Sequence, residues 1–449
     1  MVSAAEQLAS NLNLSAFAKA EDLKKRLWFT LGALVIYRLG TFIPLPGINP
    51  AAFAETFKSV SGGMLGMFNM FSGGALERMA IFALNIMPYI SASIIMQLMT
   101  SMNPKLEALK KEGESGRKQI NQYTRYLTVV LAALQAYGIA VGLEGSRNAA
   151  GSVVTDPGMF FRATTVITLV GGTMFLMWLG EQITQRGVGN GISLIIFAGI
   201  VAGLPGALVQ LFELSRTGSI SPAIMIFFLA MALAVIAAIV FFERAQRRLL
   251  VQYPKRQVGN KMFQGDASHL PLKLNSSGVI PPIFASSLLL LPVTAAQFSA
   301  NQGPEWLGTV VAALGTGQPL HMLVYALLIL FFAFFYTAVV INPKDTADNL
   351  RKFGGFLPGI RPGEKTAEYI DYVLTRITVV GAIYLAAVCV LPEFLTAYAG
   401  IPLYFGGTSL LIAVSVTMDT VAQVQSHLIA QQYEGLIKKA KLRGTKGTR

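Results

Sequence analysis

The residue types that most often catalyse reactions or bind metals do not form a recognisable site in this 449-residue sequence. Its histidines, residues 269, 321 and 427, are far apart, and its single cysteine, Cys389, lies in an apolar run, so no Cys/His metal cluster or disulfide framework is predicted. Residues 187–191 are glycine-rich, but no strand precedes them and no Gly-Lys-Ser/Thr follows, as a phosphate loop requires. We therefore predict a protein that is not an enzyme and that binds neither cofactor nor metal.

Six isoleucines have the most suggestive spacing instead. Two pairs are each one helical turn apart and so share a helix face, and the other two occupy corresponding positions in the second half of the chain, all near the middle of apolar segments. β-branched side chains gathered at mid-membrane make a narrow, dry constriction that closes to ions by dewetting. Any single isoleucine is explained better by lipid contact or helix packing, and the repeat described below is what favours a ring. The predicted pore ring is Ile86, Ile90, Ile192, Ile196, Ile283 and Ile412.

The composition indicates a membrane protein. Hydrophobic residues make up 53% of the sequence and charged residues 13%, and the mean hydropathy is +0.55. A chain so apolar cannot bury its surface in one soluble core, so the bilayer is its predicted solvent. The net charge of +13 is compatible with nucleic-acid binding, with anionic lipid or with membrane topology alone, and its distribution decides among these.

Apolar stretches able to cross roughly 30 Å of hydrocarbon as a helix occur ten times. With the N-terminus inside, all but six of the 36 Lys and Arg fall in or beside cytoplasmic segments, which fixes the orientation and places both termini in the cytoplasm. The exceptions are Arg38, Lys58, Arg78, Arg147, Arg162 and Arg216. The predicted spans cover approximately residues 27–43, 78–100, 124–143, 160–180, 188–207, 221–242, 276–296, 319–341, 374–391 and 405–427.

Three ordered sequence matches indicate an internal duplication. Spans two, four and five match spans seven, nine and ten, each pair five spans apart. Because five is odd, the two halves cross the membrane in opposite directions, as an inverted repeat with its functional site at the midplane between them. We predict a cytoplasmic N-tail over 1–26, halves over 27–220 and 221–428, and a basic C-tail over 429–449. The matches are residues 85–93 with 279–286, 167–172 with 377–382, and 191–196 with 407–412.

Between the first two spans lies an apolar segment, residues 62–74, that is too short to cross the membrane and is bracketed by glycine pairs. The pattern is typical of a re-entrant half-helix, which is tolerated at membrane depth only when it packs in protein or lines a cavity. A loop that lies on the outer headgroups explains the same pattern equally well.

Two amides lie at nearly the same predicted depth in spans two and seven. Gln97 is seven residues from Ile90 and Asn275 is eight residues from Ile283, which places both about 10–12 Å toward the cytoplasm from the isoleucines. With the serines at 91, 93, 286 and 287 they form a polar seam between the two spans, with about a kcal/mol or less per hydrogen bond. Such a seam is able to part, although ordinary polar contacts in a static bundle explain it equally well.

Two long cytoplasmic loops, residues 243–275 and 343–373, are rich in basic residues. Topology accounts for some of these charges, but loops so enriched also predict a docking surface for phosphate backbones or an acidic partner. The turn at 358–363 holds an arginine between prolines and glycines, which suits a defined contact. The candidate docking residues are Arg248, Lys255, Arg256, Lys261, Lys352 and Arg361.

An inverted-repeat secondary transporter for a small solute is the main alternative. It predicts polar or charged ligands at the midplane, where this sequence has chiefly isoleucine and proline, and its charged residues Arg38, Glu243 and Asp419 lie toward the ends of their spans. A structural scaffold without transport is a third reading, and it has no need for a re-entrant segment.

Several long motifs closely resemble the bacterial SecY family, and the likeness extends over all ten spans in order. The motifs are MFNMFSGGAL at 67–76, IMPYISASI at 86–94, KEGESGR at 111–117, GEQIT at 180–184, FLPGIRPG at 356–363 and YFGGTS at 404–409. SecY is the central subunit of the Sec protein-conducting channel. The resemblance therefore implies an all-α polytopic protein in which two halves of five helices clasp an hourglass pore.

The resemblance also assigns roles to the segments. It implies that 62–74 is a plug, that the six isoleucines form the pore ring, and that spans two and seven, with three and eight, form a lateral gate toward lipid. The implied gate residues are Ser91, Gln97, Asn275 and Ser286, and the implied plug residues are Met64, Met67, Phe68, Asn69, Met70 and Phe71.

The implied partners are the SecE and SecG subunits, the SecA motor or the ribosome, signal peptides and preproteins, and anionic lipids of the bacterial inner membrane. Arg361 matches the family's critical arginine, but Asn260 and Lys261 replace a paired arginine that relatives carry in the first loop. With no energy-coupling motif, the chain is expected to supply a passive, gated path for unfolded preproteins and for membrane-protein segments. A bound motor or ribosome supplies the work, and a signal peptide opens the seam by shifting its equilibrium.

Overall fold

The computed structural model describes residues 20–60, 64–145, 147–148, 151–218, 221–253, 256–258, 261–263, 267–298, 313–315, 317–399 and 407–444. The helices in this part of the chain are α1 (Glu21–Gly40), α2 (Pro50–Val60), α3 (Met64–Phe71), α4 (Met87–Met102), α5 (Pro104–Lys111), α6 (Glu114–Gly145), α7 (Met159–Arg186), α8 (Gly191–Arg216), α9 (Pro222–Arg244), α10 (Ile280–Phe298), α11 (Pro319–Val340), α12 (Pro343–Lys352), α13 (Glu364–Ala399) and α14 (Gly407–Gly444). The strands are β1 (Arg147–Asn148), β2 (Gly151–Ser152), β3 (Gln246–Gln252), β4 (Arg256–Val258), β5 (Lys261–Phe263) and β6 (Ala267–Lys273).

Helices occur at all ten predicted spans, as α1, α4, α6 to α11, α13 and α14. Seven described segments are long and apolar enough to cross a membrane: Glu114–Gly145, Met159–Arg186, Gly191–Arg216, Pro222–Arg244, Pro319–Lys352, Glu364–Leu395 and Gly407–Ala430. Their outward faces are apolar, as in α9, where Leu233 is 68% and Phe241 69% exposed. Side chains of this kind need lipid around them. The predicted class of polytopic helical membrane protein is confirmed.

Span two begins later than the sequence predicts. The prediction has a helix from about residue 78, but α4 begins at Met87 with Pro88 in its first turn, where a residue without an N–H group is tolerated. The chain before it runs as turns with apolar side chains, and Met79 and Asn85 have positive φ angles of 45° and 49°. This non-helical backbone is stabilised by hydrogen bonds with residues 43–45, which makes it tolerable inside a membrane protein.

The glycine-rich turn between α7 and α8 has a packing role. The side chain of Asn190 accepts from the backbone N–H groups of Ile192 and Ser193 and so caps the start of α8. A Cβ atom at Gly191 would clash with the carbonyl oxygen of Gly180 in α7. The glycines therefore let two consecutive helices approach closely at their shared end.

The repeated tripeptide Asn-Pro-Lys ends two of the predicted spans. After α4 and after α11, the asparagine side chain, Asn103 or Asn342, accepts from the N–H of the lysine two residues on, and the proline takes the first helical position. This is a standard helix start, so a short second helix follows each of the two membrane helices. The two ends lie close together, because Lys110 Nζ of α5 is 3.5 Å from the carbonyl oxygen of Val339.

The two basic loops form one packed unit, which the sequence reading missed. Strands β3 and β6 pair antiparallel over their full lengths, and the backbone of Gln252 exchanges two hydrogen bonds with that of Phe356 in the second loop. Leu249, Val251 and Leu357 share an apolar core with the start of α13. The predicted loops are thus a β-hairpin and a turn that position each other.

The main core joins helices from both predicted halves. Helix α4 contacts α10, and α8 contacts α14. Each pair links helices that the sequence matches place five spans apart.

Candidate functional site

The six isoleucines predicted to form a ring converge in one apolar cluster, here called the central cluster. Four of them are buried within it and the other two are partly buried and pack against it. The exposed fractions are 1% for Ile86, 6% for Ile90, 3% for Ile196 and 0% for Ile412, and the partly buried pair is Ile192 and Ile283. Residues more than 300 positions apart in the sequence therefore belong to one apolar cluster.

The six isoleucines lie at the starts of their helices. Ile86 is the N-cap of α4, Ile192 is the second residue of α8, and the other four lie within the first two turns of their helices. Four helices thus begin at the central cluster. Their depth in the membrane stays a prediction.

Helix α3, inside the predicted plug, packs beside this cluster. Phe71 is 3% exposed and belongs to the cluster, and Met70 packs against it with its sulfur 3.5 Å from Ser409 Oγ of α14. A Cβ atom at Gly199 of α8 would clash with the carbonyl oxygen of Phe71. Eight residues of helix are only about 12 Å long, so α3 (Met64–Phe71) is too short to cross.

Among the other predicted plug residues, Asn69 has a described role at the end of α3. Its side chain donates to Glu77 Oε2 at 3.1 Å and accepts from the Glu77 backbone N–H at 2.9 Å. The side chains of Met64, Met67 and Phe68 lie outside the described residues. The packing of α3 in protein favours the re-entrant interpretation over a loop on the headgroups.

The serines of the predicted gate are buried where α10 meets α4. Ser91 is 7% and Ser286 6% exposed. Ser286 and Ser287 both donate to the carbonyl oxygen of Ile283 in their own helix, at 2.9 and 2.8 Å. Across the interface, Ser287 Oγ lies 4.0 Å from Met87 Sδ, a weak contact. The polar groups here are satisfied mainly within their own helices.

Gln97 and Asn275 do not bond to each other. Gln97 donates to Ser93 at 3.3 Å in its own helix, and its buried Oε1 has no hydrogen-bond partner among the described residues. Asn275 donates instead to Glu243 Oε1 at 2.6 Å and to the Gly278 carbonyl at 3.1 Å. Asn275 is thereby tied to α9, whereas the bond described for Gln97 stays within α4.

Glu243 is a residue that the sequence reading placed at a span end and gave no role. It lies in the last turn of α9, and its carboxylate holds the segment that leads into α10 through Asn275. A carboxylate in an apolar span needs a hydrogen-bonding or charged partner, so the position of Glu243 in the sequence already indicated that it makes such a contact. The side-chain amide of Asn275 was the partner that sequence could not identify.

A second polar set that the sequence missed joins α11, α13 and α14. His321 Nδ1 lies 2.8 Å from Glu393 Oε1, and Tyr325 OH lies 2.9 Å from Thr408 Oγ1. His321 is 2% exposed. His321, for which the sequence shows no metal-ligand pattern, therefore contacts Glu393 between α11 and α13.

The basic docking candidates lie on the packed unit formed by the two loops. Arg248 is exposed on β3, Lys352 is exposed at the end of α12, and Arg361 is exposed in a turn whose residues 359 and 363 have positive φ. Arg256 and Lys261 belong to the hairpin of β4 and β5. Their side chains, and all of Lys255, lie outside the described residues.

The geometry defines a class of protein: a polytopic helical membrane protein with an apolar central cluster and a short helix, α3, packed beside it. A sequence profile of the SecY family matches residues 80–421. The chain is 58% identical over 422 residues to the protein translocase subunit SecY of Rickettsia conorii, covering 94% of this chain and 97% of the relative. It is 55% identical over 424 residues to that of Escherichia coli K12, covering 94% and 96%. The chain belongs to the SecY family, which confirms the resemblance of its motifs.

Solved structures show the same fold. A structure described as a protein-conducting channel matches with a TM-score of 0.64 at 18% identity, covering 90% of this chain and 92% of that one. A structure on the plug domain of SecY matches with a TM-score of 0.62 at 19% identity over the same shares. Sec61 in a canine ribosome–channel complex matches with a TM-score of 0.61 at 17% identity, covering 90% and 92%.

Proposed function

We propose that this chain is the channel subunit of a protein translocase, and that it passes unfolded preproteins across the bacterial inner membrane and releases membrane-protein segments sideways into lipid. The observation that carries the proposal is that six isoleucines from four helices belong to or pack against one apolar cluster, with α3 packed beside it. A gasket of stiff apolar side chains seals against ions when empty and yields to a polypeptide. A solute transporter needs charged or strongly polar ligating groups at the centre, where this chain gathers six isoleucines.

The two halves of the proposed channel are residues 27–220 and 221–428, related as an inverted repeat. The contacts of α4 with α10 and of α8 with α14 support this division, because each pair matches across the halves. The first pair would form the lateral gate, with Ser91, Gln97, Asn275 and Ser286 along it. The second pair would be the opposite side, where the halves stay joined.

Helix α3 with residues 62–74 would be the plug that fills the outer side of the ring. Its packing against the central cluster, through Met70 and Phe71, supports that role. The chain has no described group that could couple energy, so the driving force would come from a bound motor or ribosome.

The packed cytoplasmic unit would receive those partners. Exposed Arg248 on the hairpin, Lys352 at the end of α12 and Arg361 in the turn suit contact with the phosphates of ribosomal RNA or with acidic groups of the SecA motor. Similar solved structures include a yeast Ssh1 complex bound to the 80S ribosome. SecE and SecG would complete the translocase, anionic lipids would contact the basic inner surface, and both termini would lie in the cytoplasm.

Two glycine substitutions test the gasket. Channels purified with Ile90→Gly and Ile283→Gly and reconstituted into planar bilayers should conduct ions more than the parent, because the constriction widens and wets. Ile167→Gly is the matched control, since Ile167 is 72% exposed on α7 and faces away from the core. A conductance unchanged from the parent in both ring variants would refute the gasket.

Site-specific photocrosslinking tests the path itself. A photoreactive residue at position 90 should crosslink to a preprotein stalled during translocation, because the chain must pass the ring. The same residue at position 167 should crosslink to lipid instead. Absence of a preprotein adduct at position 90 would exclude the proposed route.

A further inference from the structure

The C-terminal end of α3 is held by side chains from other segments. Three consecutive backbone carbonyls at and just after the last turn, which have no acceptor role inside the helix, each accept a hydrogen bond from a different residue. The bonds run from Asn85 Nδ2 to Phe71 O at 2.7 Å, from Tyr37 OH to Ser72 O at 3.2 Å, and from Arg38 Nη1 to Gly73 O at 2.5 Å. The end of the helix is therefore tied by three directional contacts.

The donors are themselves well fixed. Tyr37 is fully buried near the end of α1, and its ring stacks on Phe82 with centroids 6.2 Å apart. The Arg38 guanidinium lies 5.1 Å from the centre of the Phe42 ring, which holds it over the turn after α3. Asn85 is 2% exposed in a left-handed conformation that asparagine tolerates better than most residues.

The body of α3 is held differently. Before the anchored residues 71–73, the Met70 sulfur lies 3.5 Å from Ser409 Oγ, and the Asn69 side chain bonds to the exposed Glu77. The sulfur contact is weakly directional and the Asn69 pair is open to solvent, so both separate without leaving a buried donor or acceptor unpaired. Among the described contacts of α3, the buried directional bonds to other segments are therefore those at residues 71–73.

We propose that Tyr37, Arg38 and Asn85 are positioning residues that anchor the C-terminal end of the plug helix, so that the plug opens by pivoting about residues 71–73. The proposal deepens the proposed function and rests on it. The anchor stabilises the closed position, and it keeps the plug attached near the pore while the body of α3 leaves the central cluster. Breaking one bond shifts the plug toward the open position without unfolding the channel.

The first test removes one hydroxyl. Tyr37→Phe keeps the buried ring and loses only the bond to Ser72 O, so the open probability of the reconstituted translocase should rise about two- to tenfold in single-channel recordings. Asn85→Asp keeps the backbone preference and replaces a donor with a carboxylate oxygen, so it should raise the open probability further. Tyr384→Phe is the matched control, because that buried hydroxyl has no hydrogen-bond partner among the described residues. If the Tyr37 and Asn85 variants had an open probability no higher than that of this control, the proposed anchor would be wrong.

This readout separates an anchor from mere stability. A variant that only destabilised the fold would yield less assembled protein, with an unchanged conductance for each channel that remains. The recordings need no preprotein, so they report on the anchor even if the chain failed to translocate. Failure of the parent to translocate a preprotein would instead count against the proposed function.

The second test pins each part of the plug in turn. In a parent carrying Cys389→Ala, a short bismaleimide would join cysteines placed at 37 and 72, or at 70 and 409. Crosslinking at 37 and 72 should leave preprotein translocation near the parent rate, and crosslinking at 70 and 409 should abolish it. Loss of translocation with both crosslinked pairs would mean that the plug leaves as a unit. Normal translocation with both crosslinked pairs would mean that the plug need not move. Either result would overturn the pivot.

Discussion

The anchored end of α3 and the seam between α4 and α10 are two buried contacts that are held in opposite ways. At α3, donors from α1 and from the turn before α4 reach backbone carbonyls of another segment. At the seam, Ser286 and Ser287 bond to Ile283 in their own helix, and the contact across the interface is that of Ser287 with Met87.

The difference indicates which of the two contacts separates at the lower cost in free energy. An interface whose polar groups are satisfied within each helix separates without leaving donors or acceptors unpaired, and lipid or a signal peptide then replaces the apolar contact. When a carbonyl is bonded to a donor from another segment, moving it away breaks that bond, and water must replace the donor. The seam is suited to parting, and the end of α3 is suited to staying.

The largest effect is expected from locking the seam. Cysteines at Ser91 and Ser286, joined by a short crosslinker, should abolish preprotein translocation because α4 and α10 are no longer able to separate. Each single cysteine treated with the same reagent is the control. Export at the normal rate by the crosslinked pair would show that the seam stays closed during transport.

The next effect is expected from one methyl group beside the plug. Gly199→Ala places a Cβ against the carbonyl oxygen of Phe71, and overpacking of this kind typically costs about 1–3 kcal/mol. The closed plug is therefore disfavoured, and ion leak should increase. Gly203→Ala, one turn along the same helix, has no neighbour within 4 Å and should leave the leak unchanged. Equal leak in the two variants would mean that α3 is not held tightly against α8.

A smaller effect is expected at the lead into α10. Glu243→Ala removes one of the two acceptors of the Asn275 amide and should lower the free energy of unfolding by about 1–3 kcal/mol, because one buried N–H then has no partner while the other keeps its bond to Gly278. Glu243→Gln retains an acceptor oxygen and should recover most of the loss. Thermal unfolding in detergent followed by a thiol-reactive dye at Cys389 measures the difference, and equal stability of the two variants would contradict it.

The smallest effect is expected from a gate hydroxyl. Ser286→Ala removes a bond made only to its own helix, so stability and translocation should change by less than about 0.5 kcal/mol. Translocation assays at limiting preprotein concentration would reveal a change. A large loss would show that Ser286 bonds across the seam in the working channel, and the contrast with the anchored end of α3 would then fail.

Much of the fold follows from local chemistry. Runs of apolar residues must be helical to satisfy their backbone in lipid, and the Lys and Arg distribution sets the direction of each crossing. Matches such as 191–196 with 407–412 were enough to bring Ile196 and Ile412 into one predicted ring. These properties depend on residue type and spacing, which a linear chain displays directly.

Other features were decided only by the tertiary structure. The non-helical path before α4 makes hydrogen bonds with Ile43 and Leu45, and the partner of Asn275 is Glu243 and not Gln97. The sequence does not reveal the anchor on α3, because its acceptors are backbone carbonyls, which every residue carries. Hydropathy shows which segments enter the membrane, but which donor meets which carbonyl depends on distances between segments far apart in the chain.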